Sequence, residues 1–401
     1  MRGASPVMSF EIATPARIIF GEGKLRDAGT IAAALGSRAL VVEGMSERAK
    51  PLHDLLRASG VTTASVRVPG EPTTTLVEEG AELGRRERCD LVVAMGGGSV
   101  IDASKAIAAL ITNRAPLREY LEVVGEGRPI TERPVPVIAI PTTAGTGAEV
   151  TRNAVLMVEE EQVKVSLRSP LMLPAVALID PELTYTVPPA ITASTGMDAL
   201  TQCIEPFVSP RANPITDALA REGMHRAAGA LRGAYHDGGD TDARHDMAVT
   251  SLCGGLALAN AKLGAVHGFA APLCGMFPIP HGSACAALLA PVVEINVRAL
   301  RAREPASPAL ARYDEVARIL TGNRDARAED AADWLRELAR ELNIPPLAAF
   351  GLTASNIPQV TGKARRASSM QGNPIALTDS ELAQALGEGI EGPAIGSRAT
   401  A

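Results

Sequence analysis

A rhythm of short apolar runs and helical stretches governs the first part of this chain and then stops. Residues 38–43, 61–68, 89–95 and 136–140 are short runs rich in valine, isoleucine and leucine, the composition of buried strands. Between them, 46–59, 75–88 and 99–112 read as helices, with Leu52, Leu55 and Leu56 on one face of the first. Strands that are apolar throughout and alternate with helices predict a parallel sheet covered on both faces. Past Pro188-Pro189 no strand pattern recurs. Helical stretches follow at 191–208, 214–232, 243–261, 283–300, 328–342, 353–367 and 379–388. The expected architecture is α/β plus all-α: a parallel-sheet domain over 1–187, followed by a helical domain over 188–401. From Pro393 onward a frayed tail is expected. A chain of 401 residues is also longer than one core usually organises.

Composition narrows the function. Net charge is −6, there is no lysine- or arginine-rich block, and aromatic residues make up 3% of the chain. Those features argue against nucleic-acid binding, which needs a basic track or stacking rings. The five cysteines, Cys89, Cys203, Cys253, Cys274 and Cys285, are odd in number and lack CxxC spacing. They read as reduced thiols of a cytoplasmic protein. The first residues show no signal peptide, and no apolar run approaches the ~20 residues that span a bilayer. No membrane partner is expected.

Two loops carry anion-binding chemistry. Gly96-Gly97-Gly98-Ser99-Val100-Ile101-Asp102 lies between a strand and a helix. Adjacent glycines let the backbone approach a phosphate, and the helix start presents free N–H groups. The run is not the GxGxxG fingerprint and alone could be a simple turn. The second loop, Pro141-Thr142-Thr143-Ala144-Gly145-Thr146-Gly147-Ala148-Glu149-Val150-Thr151, follows the strand ending at Ile140. Open α/β sheets bind ligands at the carboxyl ends of their strands.

These motifs, with Asp180-Pro181, Leu183-Thr184, Gly196-Met197-Asp198-Ala199-Leu200, Pro280-His281-Gly282 and Gly372-Asn373-Pro374 in that order, resemble the iron-containing (group III) alcohol dehydrogenases. The resemblance runs from about Ala16 to about Glu388. It implies a nicotinamide cofactor in the cleft between an α/β domain and a helical domain, a small-molecule substrate, and a homo-oligomer, a dimer or larger. It places Gly97, Gly98 and Ser99 at the pyrophosphate and Asp102 toward the nicotinamide ribose or substrate. Thr142, Thr143, Thr146 and Lys164 become further cofactor contacts. The position that separates NAD(H) from NADP(H) falls on Gly44, which leaves room for a 2′-phosphate that Arg48 or Lys50 could neutralise. The neighbouring Glu43 would instead meet a ribose hydroxyl.

The family binds a divalent ion, iron or zinc, through an Asp and a His one helical turn apart and two later His. Here the places are held by Asp198, Gln202, His267 and His281. Gln202 is a neutral, poorer ligand than imidazole. One expectation is a site of Asp198, His267 and His281 completed by Gln202 or water. The other is a metal-free site in which Gln202 and the two histidines hydrogen-bond the substrate oxygen. Ala271 stands where many relatives carry a further His, so the proton would leave by another route. His53, His225, His236 and His245 read as structural residues.

The expected reaction is hydride transfer between the cofactor and a small alcohol, aldehyde or keto compound. Maleylacetate reduction is the alternative, with Arg152 and Arg168 as candidate carboxylate partners. More distant readings are a lyase related to dehydroquinate synthase and a cofactor-binding protein whose metal site has decayed. The substrate pocket is expected between the domains, with Phe269 and Phe277 as candidate lining.

Overall fold

The computed structural model describes residues 9–161 and 163–392. The tail expected from Pro393 and the signal-peptide reading of the first eight residues lie outside them. Strands β1 (Arg17–Phe20), β2 (Arg38–Gly44), β3 (Thr62–Val68), β4 (Leu91–Gly96), β5 (Val137–Pro141) and β8 (Val176–Ile179) form one parallel sheet, in the order β1-β8-β5-β4-β2-β3. Strands β6 (Asn153–Val158) and β7 (Val163–Arg168) form a separate antiparallel hairpin. Successive side chains enter opposite cores, as strand geometry requires. Leu40, Val42, Val92 and Ala94 join one buried cluster, and Ala39, Val41, Leu91 and Val93 join the other.

Helices α1 (Ala28–Ala33), α2 (Lys50–Ala58), α3 (Thr74–Arg86), α4 (Gly98–Thr112) and α5 (Leu117–Tyr120) belong to this half. The apolar runs anticipated four of its strands. β1 and β8 escaped because each has four residues, and the hairpin because β6 alternates buried and half-buried positions.

From residue 189 onward the described residues hold helices only: α6 (Pro189–Val208), α7 (Pro214–His236), α8 (Thr241–Asn260), α9 (Ala265–Met276), α10 (His281–Arg303), α11 (Pro308–Thr321), α12 (Ala328–Glu341), α13 (Ile357–Ala364) and α14 (Asp379–Glu391), besides short 3₁₀ turns. They enclose a third core. α9 and α11 were not anticipated. α11 has a legible start and stop: Ser307 caps it, Pro308 follows, and Gly322 ends it at φ 69°. α10 corrects the membrane expectation in part. It is long and apolar enough to cross a bilayer, yet 83% of its most apolar window is buried inside the protein, which marks it as a core helix.

The loop after β5 is wedged between the halves. Gly147 has φ +58°, and a methyl group there would stand 2.4 Å from the Cα of Gly255 on α8. A methyl on Gly145 would meet Thr195 of α6 at 2.6 Å. Only glycine permits this backbone approach at a positive φ. Asp180, 2% exposed, ties the end of β8 to the segment after β1. Its oxygens accept from the N–H groups of Gly23 (3.0 Å), Leu25 (2.9 Å) and Glu182 (3.1 Å). Replacing Asp180 with alanine leaves three donors without a charged acceptor. A loss of about 2–4 kcal/mol is expected, read as a lower urea midpoint.

Glu149, at the end of the same loop, is 2% exposed. Burial pushes its carboxyl up to about 7, against a partial offset from Lys105. The Lys105 ammonium is committed elsewhere, to the Ala148 carbonyl (2.9 Å), Thr151 Oγ1 (3.0 Å) and Asp102 (2.9 Å). The folded chain therefore keeps a proton that the unfolded chain loses near 4.5. Stability contributed by this group is unaffected below that pH, falls as pH rises toward 7, and is lowest above it. The expected cost at pH 8 is about 2–4 kcal/mol. Glu149→Gln should remove that portion of the pH dependence, measured as urea midpoints of both proteins at pH 5 and pH 8. Equal pH dependence in the two would rule Glu149 out as its source.

Candidate active site

β4 and β5 are neighbours, so their carboxyl-terminal loops form one surface. The N–H of Thr142 donates to the Gly96 carbonyl at 3.0 Å. α4 starts at Gly98 with Gly97 in the capping position, and no side chain satisfies its first N–H groups. Such groups favour an anion. A Cβ on Gly98 would lie 2.7 Å from Thr146, and one on Gly97 would lie 3.6 Å from Thr143. The glycines are thus bare where the threonine hydroxyls crowd in. A side chain on Gly98 would collide with Thr146, so the two loops stay in contact only with glycine there.

α6 carries the next component. Thr195, against which Gly145 packs, precedes Asp198 by less than one helical turn, about 4.5 Å along the axis. Asp198, Gln202 and Glu205 follow at i, i+4 and i+7 and share one face. All are at most 5% exposed. His267 comes from α9. His281 and Cys285, one turn apart, come from α10. Asp198 Oδ1 lies 3.3 Å from His267 Nε2 and 3.8 Å from His281 Nε2. Cys285 Sγ lies 3.8 Å from His267 Nε2 and 3.7 Å from His281 Nε2. The helices thus bring together Asp198, His267 and His281 of the set expected from sequence.

Glu205 and Cys285 were missed, although i+7 from Asp198 and i+4 from His281 were visible spacings. Glu205 fixes His267. Its carboxylate accepts from the Val266 N–H at 2.7 Å and faces His267 Nδ1 at 2.7 Å. A carboxylate there makes Nδ1 the donor and turns the Nε2 lone pair toward Asp198, the usual arrangement behind a ligating imidazole.

The electrostatics are strongly coupled. Burial works against the charge on Asp198, but His281 and His267 outweigh it and hold its carboxyl below the usual range. Burial lowers His281, with His267 and Lys164 adding to the effect against Asp198. Among the described residues, two buried side-chain oxygens have no hydrogen-bond partner: Asp198 Oδ1 and Gln202 Oε1. Orphaned buried acceptors are costly unless a cation or donor meets them. With two imidazole nitrogens and a thiol beside them, they suit a divalent ion.

The other residues expected at the site make the following contacts. Asp102, which the resemblance places toward the cofactor, has one oxygen on Lys105 (2.9 Å) and the other on the Val155 N–H (3.0 Å). It moors the hairpin to α4. Lys164, on β7 and 6% exposed, pairs with Glu71 at 2.8 Å. Ser99 lies in the first turn of α4 and is half-buried. A Cβ on Gly44 would meet nothing within 4 Å. Glu43 is held by His53 (3.4 Å) and Arg67 (3.8 Å), and Arg48 donates to the Thr186 carbonyl (3.0 Å). Phe269 is fully buried in the helical core rather than in a pocket, while Phe277 is partly buried. Arg152 and Arg168 face the carboxylates of Glu11 (4.0 Å) and Glu122 (3.7 Å), contacts that lend no support to a dicarboxylate site. His245 and His236 face Glu22 (2.7 Å) and Glu341 (3.6 Å), as structural histidines do.

Comparison with known proteins converges on one family. The model described as iron-containing alcohol dehydrogenase matches residues 15–181, and that of the family's C-terminal part matches 192–388. The chain is 35% identical over 379 residues to choline dehydrogenase of Bacillus subtilis, covering 92% of each. A solved 1,3-propanediol oxidoreductase superposes with a TM-score of 0.88 at 33% identity, covering 95% of this chain and 100% of the other. Sulfoacetaldehyde reductase from Bifidobacterium kashiwanohense, solved in complex with NAD+, gives 0.83 at 32% identity, with 96% and 99% covered. The chain belongs to the iron-containing alcohol dehydrogenase family and is an oxidoreductase of that family.

Proposed function

We propose that this protein interconverts a small alcohol and its aldehyde or ketone by hydride transfer to and from NAD(H), with a divalent ion held by the helical half. The observation that carries the reading is the pair of orphaned buried oxygens on Asp198 and Gln202, set beside two imidazoles and a thiol. A metal-free oxyanion site calls for aimed donors, whereas these two oxygens are acceptors. Residues 1–187 hold the cofactor and 188–401 hold the ion and substrate.

Gly97, Gly98 and Ser99 supply close backbone approach and helix N–H groups to the pyrophosphate. Thr142, Thr143 and Thr146 add hydroxyls beside it. Asp198, His267 and His281 hold the ion, and Glu205 keeps the His267 ring in place. When bound, the ion acts as a Lewis acid on the substrate oxygen. NAD(H) is favoured over NADP(H). Glu43 and Glu47 both lie by Arg67 at the end of β2, and Arg48 is turned to Thr186 rather than toward a 2′-phosphate. The open space at Gly44 leaves the second ribose room. Five buried free thiols fit a cytoplasmic setting. Exposed Phe10, Ile12 and Ile18 beside the edge strand β1 support pairing with a second copy of the chain.

The test is NADH oxidation with a panel of small aldehydes and ketones. The assay is run on the purified protein, after chelation, and after return of Fe²⁺ or Zn²⁺. Activity should be lost and recovered in step with the ion, and kcat/KM should favour NADH over NADPH by about tenfold or more, the size of one charge contact. Activity indifferent to chelation would return the site to its metal-free alternative. Gly98→Ala should raise KM for NADH by about tenfold, since a methyl group enters the glycine loop. An unchanged KM would mean the dinucleotide lies elsewhere.

A further inference from the structure

Cys285 has the surroundings of a ligand rather than of a packing residue. It is fully buried, as free cysteines often are. Yet its sulfur lies within 3.8 Å of two imidazole nitrogens, those of His267 and His281. Both nitrogens also lie within 3.8 Å of Asp198 Oδ1, which has no hydrogen-bond partner. One donor atom from each of Asp198, His267, His281 and Cys285 falls within 4.8 Å of all the others. Bonds of about 2.0 Å to nitrogen or oxygen and 2.3 Å to sulfur leave the donors of a tetrahedron about 3.3–3.6 Å apart. Four of the six edges, at 3.3, 3.7, 3.8 and 3.8 Å, need only a few tenths of an ångström of contraction, and the remaining two lie within 4.8 Å.

We infer that Cys285 is a sulfur ligand to the divalent ion, taking the place that the neutral amide of Gln202 fills poorly. α10 then delivers two donors from one face, His281 and Cys285 at i and i+4. α6 delivers Asp198 and α9 delivers His267. Forming the metal–sulfur bond breaks the S–H bond, and the proton leaves to solvent. A thiolate is softer than the imidazole it replaces, so the site prefers Zn²⁺ or Co²⁺ to harder ions such as Mn²⁺. The inference rests on the metal-dependent reading above and adds its ligand and its selectivity, the substrate oxygen then entering as a fifth ligand, an expansion that catalytic zinc sites allow.

The test uses whole protein stripped of metal and titrated with Co²⁺, followed by absorption. The wild type should develop a sulfur-to-cobalt charge-transfer band in the near ultraviolet together with the visible bands of bound cobalt. Cys285→Ser should keep the visible bands and lose the ultraviolet one. Cys274→Ala, a nearby buried thiol, should keep both. The zinc-loaded wild type should show one sulfur neighbour at about 2.3 Å by X-ray absorption, absent in Cys285→Ser. That variant should bind Zn²⁺ at least about tenfold more weakly, with Mn²⁺ affinity changed far less. Should Cys285→Ser fail to fold, the wild-type spectra decide alone. Cobalt or zinc bound through nitrogen and oxygen only would overturn the sulfur ligand and leave the proposed reaction standing. Failure of the wild type to bind any ion would overturn both.

Discussion

Two glycines with nothing between them hold this molecule in register. Gly147 and Gly255 meet backbone to backbone, and that approach fixes the threonine loop of the α/β half against the helices. Everything in the cleft is measured from this contact. Thr195 touches the same loop less than a turn before Asp198. The glycine loop at Gly97 and Gly98 is in turn shaped by Thr143 and Thr146. A side chain at either glycine would separate the two halves of the site by the width of a methyl group, which catalytic geometry does not tolerate.

The cleft joins two kinds of physics. On the sheet side, the two loops after β4 and β5 present backbone N–H groups of a helix start without a side-chain cap, together with small residues. On the helical side, a carboxylate 1% exposed is stable only because cationic or acidic hydrogens, or an ion, stand beside it. The donor cluster is assembled from three helices, α6, α9 and α10, whose shared core is the largest apolar body in the molecule. Rigid packing there is the condition for holding donors within a few tenths of an ångström.

Much of this was legible in the sequence. The strand–helix rhythm predicts the parallel sheet, and the glycine and threonine runs fall on neighbouring loops after β4 and β5, because local chemistry dictates both. Asp198, His267 and His281 were visible through a resemblance. Cys285 and Glu205 were not, since neither falls on a ligand position of that family, and each is informative only through the helix it shares with His281 or Asp198. Asp102 shows the converse. The resemblance places it toward the nicotinamide ribose or substrate, and what the chain order hides is that Lys105 and the Val155 N–H, far apart in sequence from one another, share its oxygens. β1 and β8 were hidden because each is only four residues long, and the hairpin because β6 alternates buried and half-buried positions.

One feature of Glu205 reaches beyond the chemistry of the histidine it orients. α9 begins at Gly264 with no side-chain cap of its own. Glu205, from a different helix, accepts the Val266 N–H there while facing the His267 ring. The same carboxylate therefore closes the first turn of α9 and sets the imidazole. Displacement of that turn and rotation of the ring are thereby a single event, and because Ala265, Val266 and Phe269 are fully buried in the helical core, the imidazole keeps its orientation for as long as that core stays packed.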